Sequence, residues 1–256
     1  MTKTAASIRN QEELKLMRKS GQISALALKK VLESVRPGIS LRQLNRVAEE
    51  EILRLDGKHS FKAVPGYLWG SCLNINEEVV HGIPRDITLK AGDVLKVDLG
   101  AVYKGWHTDT AWTVVVGEDA DPQKKQFLKS GEESLWAAVN QAVEGHRIGD
   151  ISSAMQQVIE EAGYSVVKSL AGHGVGRSGH EEPEVPTYGQ RGTGLILKKG
   201  MTLAVEVIYA AGRGEIYQKA DGWTLATKDG SLGGIFEMSL IVGDRKAEVL
   251  TDWRKV

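Results

Sequence analysis

The segment Leu89–Leu99, LKAGDVLKVDL, returns 108 residues later as Leu197–Val207, LKKGMTLAVEV. Lys19-Ser20-Gly21 returns as Lys129-Ser130-Gly131, with Ser24 and Ala27 echoed by Ser134 and Ala137. Arg36-Pro37-Gly38, ahead of a helix-like stretch, returns as Arg147-Ile148-Gly149. These last two offsets are 110 and 111. Chance explains one short match, but several in order at nearly constant spacing argue for duplication. A helix–helix–sheet unit of about 110 residues is therefore read twice, over roughly 11–118 and 122–245. Short Gly-, Pro- and Asp-rich joints, with no long linker, predict one α+β domain over residues 1–256. In it, two pseudo-symmetric α/β halves surround a mostly antiparallel sheet, with a site between them.

Helical periodicity predicts Glu12–Val35, a Ser40-capped helix to Leu55, and a helix from Asp121-Pro122 to about Val143. A fourth helix is read from an Asp150 cap to Ala162, closed by Gly163. Strand-like runs follow at Ser165–Leu170, Thr202–Tyr209 and Gly234–Val242.

Within the first copy, Val94–Leu99 and Thr110–Val116 read as two strands joined by a two-residue Lys104-Gly105 turn. That turn pairs Gly100 with Asp109 and Asp98 with Ala111, which puts Asp98 and Asp109 on one face as diagonal neighbours. A three-residue turn would shift the parity, and two aspartates facing water would show the same spacing. The second copy adds weight. Asp98 aligns with Glu206 inside Leu203–Ile208, and Glu237 lies inside Ile235–Ile241. An unpaired buried carboxylate costs several kcal/mol. Four acids in apolar strands, two of them equivalent by the repeat, point to divalent metal, with room for two ions about 3.5–4 Å apart.

Lys+Arg and Asp+Glu both number 33, so no net basic field suggests nucleic acid. The N-terminus lacks a signal-peptide core, and no apolar run approaches the ~18 residues of a membrane span. The single cysteine, Cys72, excludes an internal disulfide. A soluble cytoplasmic protein is expected. Gly174-Val-Gly176-Arg-Ser-Gly179 matches GxGxxG, but Glu181-Glu182-Pro183-Glu184-Val185-Pro186 follows, where a dinucleotide site needs a helix. Of the six histidines, His81, His173 and His180 sit in Gly/Pro-rich turns beside strands, where site residues concentrate. His59, His107 and His146 read as structural.

Asp98, Asp109, His173, Glu206 and Glu237, with His81-Gly-Ile-Pro and His180-Glu-Glu-Pro, resemble the metal-dependent methionine aminopeptidases of type I. The resemblance implies the pita-bread fold and two divalent ions, Co, Mn or Fe, with Zn a further candidate. It implies that Asp98 chelates one ion, Asp109 and Glu237 bridge, and His173 and Glu206 hold the other. A metal-activated water would then attack the peptide carbonyl, with Glu206 as proton shuttle. His180 would stabilise the oxyanion, His81 would contact the scissile amide, and Tyr67, Cys72 and Trp223 would line the methionine pocket. The implied substrates are nascent polypeptides with a small second residue, met by a monomer near the ribosome, with no nucleic-acid or membrane partner. Gly179 stands where the family usually has an aromatic. Val207, Met238 and Thr108 also depart from the family pattern, so specificity is the property they put in question. A related aminopeptidase of different specificity, such as Xaa-Pro, and an inactive binding protein of the same fold are the other readings.

Overall fold

The four helices begin where polar side chains meet free N–H groups. The Asn10 side chain accepts from Glu13 N–H, and Glu13 accepts from Asn10 N–H, both at 3.0 Å, to start α1 (Gln11–Ser34). Ser40 and Gln43 do the same for α2 (Leu41–Arg54), and Asp121 with Pro122 starts α3 (Pro122–Val139). The computed structural model describes residues 7–118 and 121–256. The start of the N-terminal segment read above for a leader lies outside those residues.

Two helix expectations in the second half change. Helix α4 (Ile148–Glu161) begins after Arg147 and not at Asp150. Asp150 lies in the first turn, where its carboxylate accepts the Arg147 N–H at 2.7 Å. Helix α3 stops four residues short of Val143, because Val143 bridges to Gly243 and Glu144 N–H donates to the Gly243 carbonyl.

The strands in chain order are β1 (Lys58–His59), β2 (Ser71–Ile75), β3 (Glu78–Val80), β4 (Val94–Tyr103) and β5 (Trp106–Val115) in the first half. The second half supplies β6 (Ser165–Val166), β7 (Ala171–Gly174), β8 (Glu181–Pro186), β9 (Thr202–Ala210), β10 (Ile216–Gln218), β11 (Leu225–Thr227), β12 (Gly233–Ile241) and β13 (Glu248–Val249). Ten strands form one sheet along β1-β4-β5-β12-β9-β7-β8, with β2 on β4, β6 on β9 and β13 on β12. A smaller sheet runs β10-β11-β3. The predicted strand at Ser165–Leu170 pairs only through Val166, after which the chain turns away to line a cavity.

One sheet face packs on the helices. Val97, Leu99, Val205, Val207, Phe236 and Met238 join Leu28, Leu44, Phe127 and Leu135 in a buried core. Period-two alternation sends their strand neighbours, the acids, to the opposite face. The β4–β5 turn has the predicted two residues, both left-handed (Lys104 φ 49°, Gly105 φ 80°), so the predicted register holds.

Candidate metal centre

Ladder registers place the acids on one face without reference to side-chain coordinates. Cys72, Asp98, Ala111, Glu237 and Glu206 are successive cross-strand partners from β2 to β9. The adjacent row on the same face, about 7 Å along the strands, holds Gly100 and Asp109 at one end. Ser239, Ala204 and His173 continue it. Five ligand-type side chains thus come from five strands, β4, β5, β7, β9 and β12, and meet on the face away from the helices.

Ligand atoms of Asp109, His173 and Glu237 lie within 4.8 Å of one another, and His173 Nε2 is 3.8 Å from Glu206 Oε1. All five residues are buried. The His173 Nδ1 is 2.9 Å from the Gly174 carbonyl, which only accepts, so Nδ1 carries the proton. The Nε2 lone pair is left to face the acids. Burial, joined by the neighbouring His180, pushes the His173 pKa down to about 3, so the ring is a neutral donor.

Burial raises Asp98 to about 8. It raises Asp109, Glu206 and Glu237 well above the usual carboxylate range, and the charges of neighbouring acids add to it. Asp98 Oδ1 and Glu237 Oε1 are buried and have no hydrogen-bond partner among the described residues. Buried oxygens of this kind normally have partners. Four carboxyl groups, two orphaned oxygens and one neutral imidazole make a hard donor set that fits divalent cations.

One strut within the sheet is not visible in the sequence. The Ser239 hydroxyl accepts from Asp109 N–H at 2.8 Å and donates to the Asp109 carbonyl at 2.9 Å. It fixes the backbone of a central acid where β5 and β12 splay apart. Small polar residues in strands carry no signal of such a role.

All ten sequence-predicted site residues line one cavity of about 540 Å³. At one end Tyr67 packs edge-on against Trp223 at 5.1 Å and donates from its hydroxyl to Cys72 Sγ at 3.1 Å. Burial raises the Cys72 thiol, with the charge of Asp98 adding to it, so this cysteine is a wall and not a nucleophile. His81 and His180 stand at the mouth with open faces, yet surrounding protein lowers both pKa values. The His180 ring lies 4.0 Å from that of His173.

Sequence reasoning missed Phe61, Val64, Leu170, Tyr188, Ile208 and Ile235 in the same cavity. Strand parity reveals two of them, since Ile208 and Ile235 lie two residues from Glu206 and Glu237. His107, read as structural, hydrogen-bonds Ser60 Oγ at 2.8 Å. The GxGxxG segment is followed by strand β8 and no helix, as expected. A Cβ built on Gly179 would meet only Ser60 Oγ at 3.5 Å and His107 Nδ1 at 3.7 Å. Neither backbone conformation nor crowding demands glycine there.

The model of metallopeptidase family M24 matches residues 15–242. Methionine aminopeptidase 1 of Bacillus subtilis (strain 168) is 40% identical over 239 residues, 93% of this chain and 96% of that protein. The crystal structure of methionine aminopeptidase from Thermotoga maritima superimposes with a TM-score of 0.94 at 39% identity, over 96% of this chain and 99% of that one. The prolidase of Pyrococcus furiosus shares the fold, with a TM-score of 0.78 at 23% identity, over 96% of this chain and 65% of that one. The chain belongs to metallopeptidase family M24 and, within it, to the methionine aminopeptidases.

Proposed function

We propose that this protein removes N-terminal methionine from polypeptides with a small second residue, using two divalent ions held by Asp98, Asp109, His173, Glu206 and Glu237. Co, Mn and Fe suit the donor set, and Zn is a further candidate. The observation that carries the reading is the convergence of those five buried side chains, two with orphaned oxygens, beside an aromatic pocket. Ions held by these residues would supply Lewis acidity, activating a water and polarising the scissile carbonyl.

The protein's own side chains do the rest. Tyr67, Cys72 and Trp223 wall the space for the methionine side chain, and Asp98 sits beside them to orient the end of the chain that carries the free amine. Glu206, buried in the cavity wall with Oε1 3.8 Å from His173 Nε2, takes up and returns a proton. His180 and His81, held neutral at the mouth, donate to the carbonyl oxygen and approach the scissile amide. The substrates are nascent polypeptides, met in the cytoplasm by a monomer close to the ribosome. No helix among the described residues is long and apolar enough to cross a membrane.

Reconstitution with Mn, Fe or Co, followed by profiling on a free-amine peptide library, tests this. Two ions per chain and preference for Met-Ala and Met-Gly peptides are expected, and His81→Ala should lower kcat. Absence of that preference overturns the assignment. The missing side chain at Gly179, next to the cavity residue His180 and where the family usually has an aromatic, favours a second reading, in which larger N-terminal side chains are accepted too. Gly179→Phe should fold normally and narrow the accepted set in the same library.

A further inference from the structure

A buried ion cluster lies outside the metal centre. Glu78 on β3 has a side chain only 2% exposed. Arg85 Nη2 donates to both of its oxygens at 2.7 and 2.6 Å, Lys219 Nζ donates to Oε1 at 2.7 Å, and the Ile75 N–H donates to Oε2 at 3.1 Å. Burial opposes its ionisation, but these donors outweigh burial and hold its pKa below the ordinary value.

Each cation leads to a different wall of the cavity. Arg85 follows His81 after Gly82-Ile83-Pro84, so the Glu78–Arg85 pair closes the loop that presents His81. His81 has φ +59°, a strained conformation for a non-glycine residue, which persists only when both flanks are held. Glu78 precedes His81 and Arg85 follows it, so their pair holds both flanks, and on the following side the Gly82 N–H also donates to Asn74 Oδ1 at 3.1 Å. Lys219 N–H donates to the Thr224 carbonyl at 2.8 Å and closes the turn that carries Trp223. Asp221 fixes that turn from within, accepting from the N–H groups of Trp223 at 2.9 Å and Thr224 at 2.8 Å.

We propose that Glu78 is a positioning residue that sets the His81 loop and the Trp223 turn relative to one another. Apolar side chains would hold two loops together at lower desolvation cost, whereas charge-assisted hydrogen bonds from Arg85 Nη2 and Lys219 Nζ to one carboxylate fix direction as well as distance. The inference rests on the roles given above to His81 and Trp223. It predicts that the two cations separate in kinetics, because one arm reaches the reacting amide and the other reaches the side-chain pocket.

Steady-state cleavage of Met-Ala-Ser by metal-reconstituted protein tests it, with kcat and KM measured separately. Arg85→Met should lower kcat about tenfold with KM within about twofold. Lys219→Met should raise KM about fivefold with kcat within about twofold, and Glu78→Gln should do both. Wild-type kcat and KM in Arg85→Met and Lys219→Met, or identical effects of the two, overturn the proposal. Those two variants decide it if Glu78→Gln does not fold. His81→Ala and Trp223→Ala run as references. If His81→Ala leaves kcat unchanged and Trp223→Ala leaves KM unchanged, the site roles themselves are wrong, which is a different failure.

Discussion

The β4–β5 hairpin of the first half and the β9–β12 pair of the second follow one plan and differ in what joins them. Asp98 opposes Ala111 in one, and Glu206 opposes Glu237 in the other. The repeat therefore equates Ala111 with Glu237 and Asp109 with Ile235. Each half gives two acids, but the second acid of each pair sits at a position that is apolar in the other half. The repeat gives the two halves a common frame, and the acids occupy it asymmetrically.

The joints differ more. Two residues, Lys104-Gly105, connect β4 to β5, whereas residues 211–232 connect β9 to β12. The long joint forms β10 and β11, pairs with β3 of the first half, and brings Trp223 against Tyr67. A tight hairpin can present ligands but cannot reach beyond its strand ends. The aromatic end of the cavity therefore depends on the half with the long joint reaching across to the half with the short one.

The largest effect expected from breaking the equivalence is at Asp109, which has no acidic counterpart. Asp109→Asn should lower kcat/KM by at least roughly 10³-fold, as several kcal/mol of charge stabilisation are lost. Metal content by elemental analysis should fall with it. Retained metal and activity would show that Asp109 is no ligand.

A smaller and sharper test uses the seam between the halves. The Thr113 hydroxyl donates to the Ile235 carbonyl at 2.6 Å and accepts from its N–H at 3.1 Å, as Ser239 does at Asp109. The two struts are equivalent under the repeat, but only one braces an acid. Ser239→Ala and Thr113→Val should each cost about 1–2 kcal/mol of stability by thermal unfolding. Activity should fall about tenfold in Ser239→Ala alone. Equal losses of activity would make both struts merely structural.

The smallest effect is on stability without metal. The four acids have folded-state pKa values raised above their unfolded values. The folded state then binds more protons than the unfolded one, so stability falls as pH rises. For Asp98 the window runs from its ordinary 3.8 to about 8. The Tm of chelated protein should drop by about 5 °C or more between pH 5 and 8, and loaded protein should lack that drop. A flat profile in chelated protein would mean that the acids are relieved by something other than cations.

The repeat, the hairpin parity and the apolar settings of Asp98, Glu206 and Glu237 are local patterns, and all were legible in the chain. A period of two and a two-residue turn are enough to assign a face. Asp150 misled because an acid in the first helical turn and an acid at a cap satisfy neighbouring N–H groups and look alike in sequence. The seam hydroxyls and the Glu78 cluster left no trace, because their partners lie up to 141 residues away and their residue types are ordinary in turns and strands.

The chain by itself determined which side chains share a face, since that follows from short-range periodicity, and it carried the repeat as a direct match of segments. Only the tertiary structure decided that β5 and β12 meet edge to edge, which closes five donors into one centre. It also decided that the 211–232 excursion folds back over the first half. Both depend on burying apolar faces between segments distant in sequence, a contribution to the free energy that no local window contains.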